Sequence, residues 1–432
     1  ATMIVVRFCN DVQIDAMTLR NGNAAALLTL ECANMEIGRI CMDGFKANGL
    51  MVVNAAGLTI GQLIARNVED GALELSCFDG KSVITECSDI TVGSINVKNV
   101  DIGLLINSAR RVNVGNCKID RTRYNGIQII QDLNTTTAQW PDDISIGNSV
   151  ITNVGAIGNT ANQAAIAVYM MTEPTEDTRV SFGNTSIRGA TGDGVSVHNW
   201  SARTYVDLGD MSVRDVGGVG YRLGGKRISF GKLTAERTQG LGVLGTGGGS
   251  LIGDRITVEN AQLARASSAA VHLGDFAFTD VASVHIADDQ STPSAWVMSD
   301  AGSGKGRVGR VTSSITNGAL SIAHTAPGMV YGTTDIGGAI PVTVKKTITY
   351  QDPMFRNNWS PQEPVLIALP AGAVVTGTRI KHSTSFTDGA GALTAVAVSI
   401  GTDAQQTYFS AALQVGENAA PGNAAYIDTA QY

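Results

Sequence analysis

Apolar and polar residues alternate with a period of two through most of the first three quarters of the chain. In Asp89-Ile-Thr-Val-Gly-Ser-Ile-Asn-Val-Lys, residues Ile90, Val92, Ile95 and Val97 fall on one side, and Thr91, Ser94 and Asn96 on the other. That is the alternation of strands, not the 3.6-residue rhythm of a helix. An apolar residue followed by glycine keeps returning, at Ile37-Gly38, Ile60-Gly61, Val92-Gly93, Val114-Gly115, Ile146-Gly147, Phe182-Gly183, Leu208-Gly209, Phe230-Gly231, Ile252-Gly253 and Val308-Gly309. Phe278-Thr279 reads as a variant of the same signal. The shortest steps are 22 residues (92 to 114, 208 to 230, 230 to 252), then 23 (37 to 60). Recurrence on this scale marks a solenoid, whose units bury their apolar sides only by stacking.

Polar turns with glycine (Asn48-Gly49, Asp70-Gly71, Asn125-Gly126, Asp193-Gly194) separate the short strands within a unit. The predicted fold is all-β: a right-handed parallel β-helix of about twelve coils, a rod on the order of 55 Å long at strand spacing. A leucine-rich frame and helical repeats are both missing from the pattern. Longer steps mark insertions at 77–88, 131–143, 155–163 and 172–178. Those at 131–143 and 172–178 follow the same strand of consecutive coils, so they are expected to stack as walls on one edge.

The repeat fades after Ala323, giving a β-helix over 1–323. Residues 324–340 read as a linker. From Pro341 longer strands with Gly- and Asp-rich turns predict an antiparallel β-sandwich over 341–432.

Bulk composition alters this picture little. Fifty glycines, ten prolines and 5% aromatics suit a narrow aliphatic coil. A net charge of −7 without any basic stripe argues against nucleic acid as a partner. No apolar run reaches the roughly 18 residues of a membrane span. The six cysteines lie in the first third without a C-x-x-C pair, and Cys117 falls in the column of Ile40, Leu63 and Ile95. They read as small buried apolar residues made in a reducing cytoplasm, not as metal ligands or disulfides.

Alternation also predicts a groove floor. Ile127/Ile129, Ile166/Val168 and Val195/Val197 should face inward; Gln128, Ala167/Tyr169 and Ser196/His198 should face out, with Arg222 continuing the row. With Trp140 and Trp200 beside them, these residues offer ring faces and planar hydrogen-bonding groups suited to a glycan. Acids crowd the same coils: Asp120, Asp132, Asp142, Asp143, Glu173, Glu176, Asp177, Asp193, Asp207, Asp210 and Asp215. Glycoside hydrolysis needs one protonated and one ionised carboxyl. Glu173 and Asp193 are the chosen pair, with Asp215 in reserve. Neither a metal nor a cofactor is expected, and H-E-x-x-H, G-x-S-x-G and P-loop frames are lacking.

Coils with loops on one edge, followed by Ile340-Pro-Val-Thr-Val-Lys-Lys-Thr-Ile-Thr-Tyr350 and Ile367-Ala-Leu-Pro-Ala-Gly-Ala-Val-Val-Thr-Gly-Thr-Arg-Ile-Lys-His382, resemble bacteriophage tailspikes of the pectate-lyase-like β-helix superfamily. The resemblance implies a homotrimer in the virion, made in the bacterial host cytoplasm and joined to the phage tail or baseplate through a part N-terminal to residue 1. It also implies a C-terminal domain for trimerisation or carbohydrate binding, and cleavage of a capsular or O-antigen polysaccharide. The family shares no catalytic motif, so no residue carries over from it. The leading expectation is a cofactor-free endo-glycosidase. The alternatives are a polysaccharide lyase on the same fold and a glycan-binding spike without catalysis.

Overall fold

Each turn of the chain carries three short alternating runs, and the three stack on their counterparts 22 or more residues later. The computed structural model describes residues 4–77, 86–131, 140–158, 163–170, 174–198, 203–261, 269–273, 276–289, 296–299, 304–315, 322–323, 328–335, 378–382, 397–398, 413–414 and 422–426. All described regular elements are strands, and no described helix is long and apolar enough to cross a membrane. Leu27–Leu30 lies on the first face of a turn; Ala33–Phe45 supplies the second face, bends at Gly38, and supplies the third. Pairing between turns is parallel throughout the solenoid. The described strands from Ile4 to Glu259 make about ten turns, somewhat fewer than the twelve expected, and paired strands continue to Asp335.

The core is a set of aliphatic columns along the axis. On the first face one column runs Leu27, Leu50, Leu73, Leu104, Ile127, Ile166, Val195, Tyr221 and Val243, all fully buried. The inward assignment of Ile127/Ile129, Ile166/Val168 and Val195/Val197 is thus borne out. Cys117 pairs with Ile95 in the Leu63 column, as expected, and burial pushes its thiol and that of Cys87 up to about 12. At neutral pH both behave as apolar groups.

Two features of sequence turn the corners. Between second and third faces, a side chain at Gly93 or Gly147 would place Cβ 2.5 Å from the carbonyl oxygen of the glycine one turn earlier. The repeated glycine is a demand of close stacking. The third face ends on a column of left-handed residues, Asn21, Gly44, Asn67, Asn99, Arg121, Asn153, Gly189, Asp215 and Arg237, with φ between 50° and 77°. Asparagine tolerates that conformation, and Asn99 donates to Asn67 (3.1 Å), which donates to Asp43 (2.8 Å).

The glycine signal misplaces two turns. Thr246 is an extra residue at a register shift beside Gly247 and Gly248, so Phe230 pairs with Gly253 instead of Ile252. Likewise Val281, not Phe278, pairs with Val308, which puts Ala282 at the corner.

One polar group sits inside the rod. Tyr221 is fully buried, and its hydroxyl donates between the carbonyl oxygens of Met211 (2.8 Å) and Thr234 (2.9 Å). Burial raises its phenol well above the usual range. Tyr221→Phe would remove the buried hydroxyl from both carbonyls, so chemical denaturation should show a loss of about 1–2 kcal/mol.

The chain divides into two compact units, Ala1–Gly338 and Ala339–Tyr432. In the second, Thr378–His382 pairs antiparallel with Gly422–Tyr426, and Ala397–Val398 with Leu413–Gln414. The remaining strands of the expected sandwich lie outside the described residues.

Candidate functional site

Connections between the first and second faces are short where no insertion occurs, as from Leu30 to Ala33 and from Asn107 to Arg110. Six span five residues or more: Ser76 to Ser88, Gln131 to Asp142, Met170 to Thr178, His198 to Thr204, His272 to Phe278 and Ser299 to Lys305. All leave the rod at the same edge, so the walls expected from 131–143 and 172–178 share one corner. The 155–163 insertion leaves from the corner between third and first faces.

The first face forms the floor beside these walls. Backbone register places Gln128, Ala167, Ser196 and Arg222 in one outward row, about 5 Å apart. Tyr169 and His198 pair in the neighbouring row. Gln128 Nε2 donates to the Tyr169 hydroxyl at 2.5 Å across the two rows. Ala167 and Ser196 are buried although they face away from the core, so the floor is partly covered. Of the other residues picked from the sequence, Trp200 and Glu173 lie outside the described residues, as does the His198 side chain.

The acids are strongly tied. Asp193 Oδ1 accepts the Val219 N–H at 2.8 Å, and its Oδ2 accepts from Arg222 Nε at 2.6 Å. Arg222 therefore holds the acid of the preceding turn. Asp215 is not the counterpart of Asp193: it shares the left-handed column with Gly189, whereas the residue stacked on Asp193 is Val219. Arg237 Nε donates to Asp215 at 2.6 Å, with Arg188 at 3.3 Å and Arg214 at 3.7 Å. The Arg237 hydrogen bond pulls its carboxyl below the usual range, which keeps it ionised.

A further carboxyl, not singled out by sequence, is shifted the other way. Asp101, 7% exposed, faces Arg123 at 3.3 Å, yet burial raises it to about 6, with Asp70 and Glu69 adding repulsion. Its folded value lies above the unfolded one, so the folded state holds the extra proton and stability from this group declines as pH rises from about 4 through 6. Across that window, the stability of the wild type relative to Asp101→Asn should fall by on the order of 1–2 kcal/mol in parallel urea titrations.

At the elbow between first and second faces lies a cavity of about 80 Å³ lined by Arg110, Trp140, Asp142, Thr175, Glu176 and Asp177. Trp140 is 9% exposed, and its buried indole N–H has no acceptor among the described residues. Arg110 Nη2 lies 3.2 Å from Glu176 Oε2 and 3.5 Å from Asp142 Oδ2. Asp142 Oδ1 accepts the Arg179 N–H at 3.0 Å. On the far side Arg203 Nη1 donates to the Thr175 carbonyl at 2.5 Å, and Lys226 bridges Asp177 (3.7 Å) and the Tyr205 ring (5.1 Å). Trp140, Asp142 and Glu176 were visible as residue types in the two insertions; Arg110 carried no signal, since it comes from an earlier turn. Among the described residues no group of three or more His, Cys, Asp or Glu is placed to hold a metal ion.

No protein-family model, no curated protein and no solved structure matches the chain.

Proposed function

We propose that this chain is a tailspike-like depolymerase that hydrolyses glycosidic bonds of a bacterial capsular or O-antigen polysaccharide. One observation carries the reading: the long connections all start from one edge of the solenoid, the edge of a first face that carries Gln128, Tyr169, Ser196 and Arg222 at turn spacing. A polymer lying along the rod would meet a polar side chain at each of these turns, which suits an extended sugar chain better than a compact ligand. In this reading the active form is a homotrimer in the virion, with the polysaccharide as its partner and no cofactor.

Incubation with purified surface polysaccharides, followed by size and end-group analysis, tests it directly. Shortened chains with new reducing ends support hydrolysis, and unsaturated ends absorbing in the ultraviolet mean a lyase. Binding without shortening means a spike that only recognises glycan. That last reading draws on the way arginines hold Asp193 and Asp215.

A further inference from the structure

Away from the first face, a groove of about 760 Å³ follows the rod along the opening stretch of the third face, just past the glycine corner. Its first outward row runs from Gln62 through Asn116, Asn148 and Asn184 to Asp210 and Lys232, roughly 30 Å at strand spacing. We infer that this groove is a second, non-catalytic binding site, and that it takes an extended, weakly acidic polysaccharide. The inference goes beyond the depolymerase reading and does not require cleavage.

Repeated amides and hydroxyls make up its surface. Asn116, Asn148 and Asn184 stack on successive turns, and Ser186 and Ser212 stack in the row beside them. Asn148 Oδ1 accepts the Asn184 N–H at 3.2 Å, which leaves the Asn148 amide N–H donors for a ligand. The side chains of Asn116, Asn184, Ser186 and Ser212 have no hydrogen-bond partner among the described residues. Amides and hydroxyls both donate and accept, and sugar hydroxyls do the same. A polymer lying along the groove would meet such a group about every 4.8 Å.

Other occupants fit this surface poorly. The strands under it pair with the turns before and after them, so no row of N–H and C=O groups is open for an added peptide strand. Val150, 49% exposed, is the one outward apolar side chain in the lining, which gives a protein core or a lipid little to bury against. Lys118 and Lys232 are the only lining cations, too few for a nucleic-acid backbone. Their side chains have no anionic partner among the described residues, and they stand four turns apart, roughly 19 Å. Asp210 is the one lining acid, and its Oδ1 accepts the Lys232 backbone N–H at 2.8 Å. Two free lysines against one acid, on an otherwise uncharged floor, complement carboxylates spaced along a polymer.

The test measures equilibrium binding of the whole chain to purified acidic surface polysaccharides and to their carboxyl-reduced forms. Asn116→Ala combined with Asn184→Ala removes two amide contacts and should weaken binding of the acidic polymer about tenfold. Lys118→Gln should weaken it about threefold and leave the carboxyl-reduced polymer unaffected. All three side chains are exposed, so thermal melts should match the wild type. Unchanged affinity in both variants, with Arg222→Gln on the first face weakening it, overturns the inference and leaves the depolymerase reading intact. A wild type that binds no acidic polysaccharide overturns it too. So does a loss of wild-type oligomers in the double variant by light scattering, which would make the groove a contact between copies of the chain. Binding through the groove without any shortening of the polymer keeps the inference and removes the depolymerase reading.

Discussion

Gly115→Val should unfold at a markedly lower denaturant concentration than the wild type, with a loss of about 3 kcal/mol or more. A Cβ at Gly115 points at the carbonyl oxygen of Gly93, and the Gly115 carbonyl in turn faces Gly147. These are backbone atoms in a ladder whose strand separation of about 4.8 Å is fixed by hydrogen bonds, so they cannot give way as a side chain would. The valine must therefore pry two turns apart, and each turn depends on its neighbours for its core. The same corner carries Ala282 in a later turn, where a side chain is already accommodated. Ala282→Gly should change stability by no more than about 1 kcal/mol, the ordinary cost of added backbone freedom. Equal losses in the two variants, followed by urea titration, would show that the corner is not a steric limit.

This glycine column also explains how much of the fold was legible. A corner this close to the next backbone writes glycine at most turns, and the column of Leu27, Leu50, Leu73 and Leu104 writes the same class of residue. Stacking thus imprints its period on the chain. The register failed only beyond Leu223: an added Thr246 among glycines that take positive φ slides the frame without disturbing the alternation on either side, and the later corner carries Ala282 instead of glycine.

The site was legible to a lesser depth. Alternation says which residues face outward, and the row of Gln128, Ser196 and Arg222 followed from that alone. It does not say what an outward side chain grips. Arg222 reaches back 29 residues to Asp193, and Arg110 reaches forward 66 residues to Glu176 because two insertions intervene. Partner choice at such separations depends on loop path and rotamer, and neither leaves a periodic trace. Two acids preceding glycine-rich turns, Asp193 and Asp215, therefore looked alike in sequence and occupy different columns in space.

Asp193→Ala separates the structural from the chemical role of that acid, and its expected effect is large. The carboxylate is 14% exposed and answers both the Val219 N–H and the Arg222 guanidinium, itself 28% exposed. Removing it strands a partly buried cation and a backbone donor together, a loss of about 2–4 kcal/mol in chemical denaturation. Asp193→Asn keeps an oxygen for Val219 and loses the ion pair, so its loss should be about half as great. If Asp193 acts by holding Arg222 on the groove floor, the folded Asn variant should show a raised KM with kcat within a few-fold of wild type. A direct acid or base would produce the opposite split, with kcat falling by about 100-fold or more and KM little changed. Arg222→Gln should then match Asp193→Asn in KM, and combining the two should add little, since either change alone already breaks the contact.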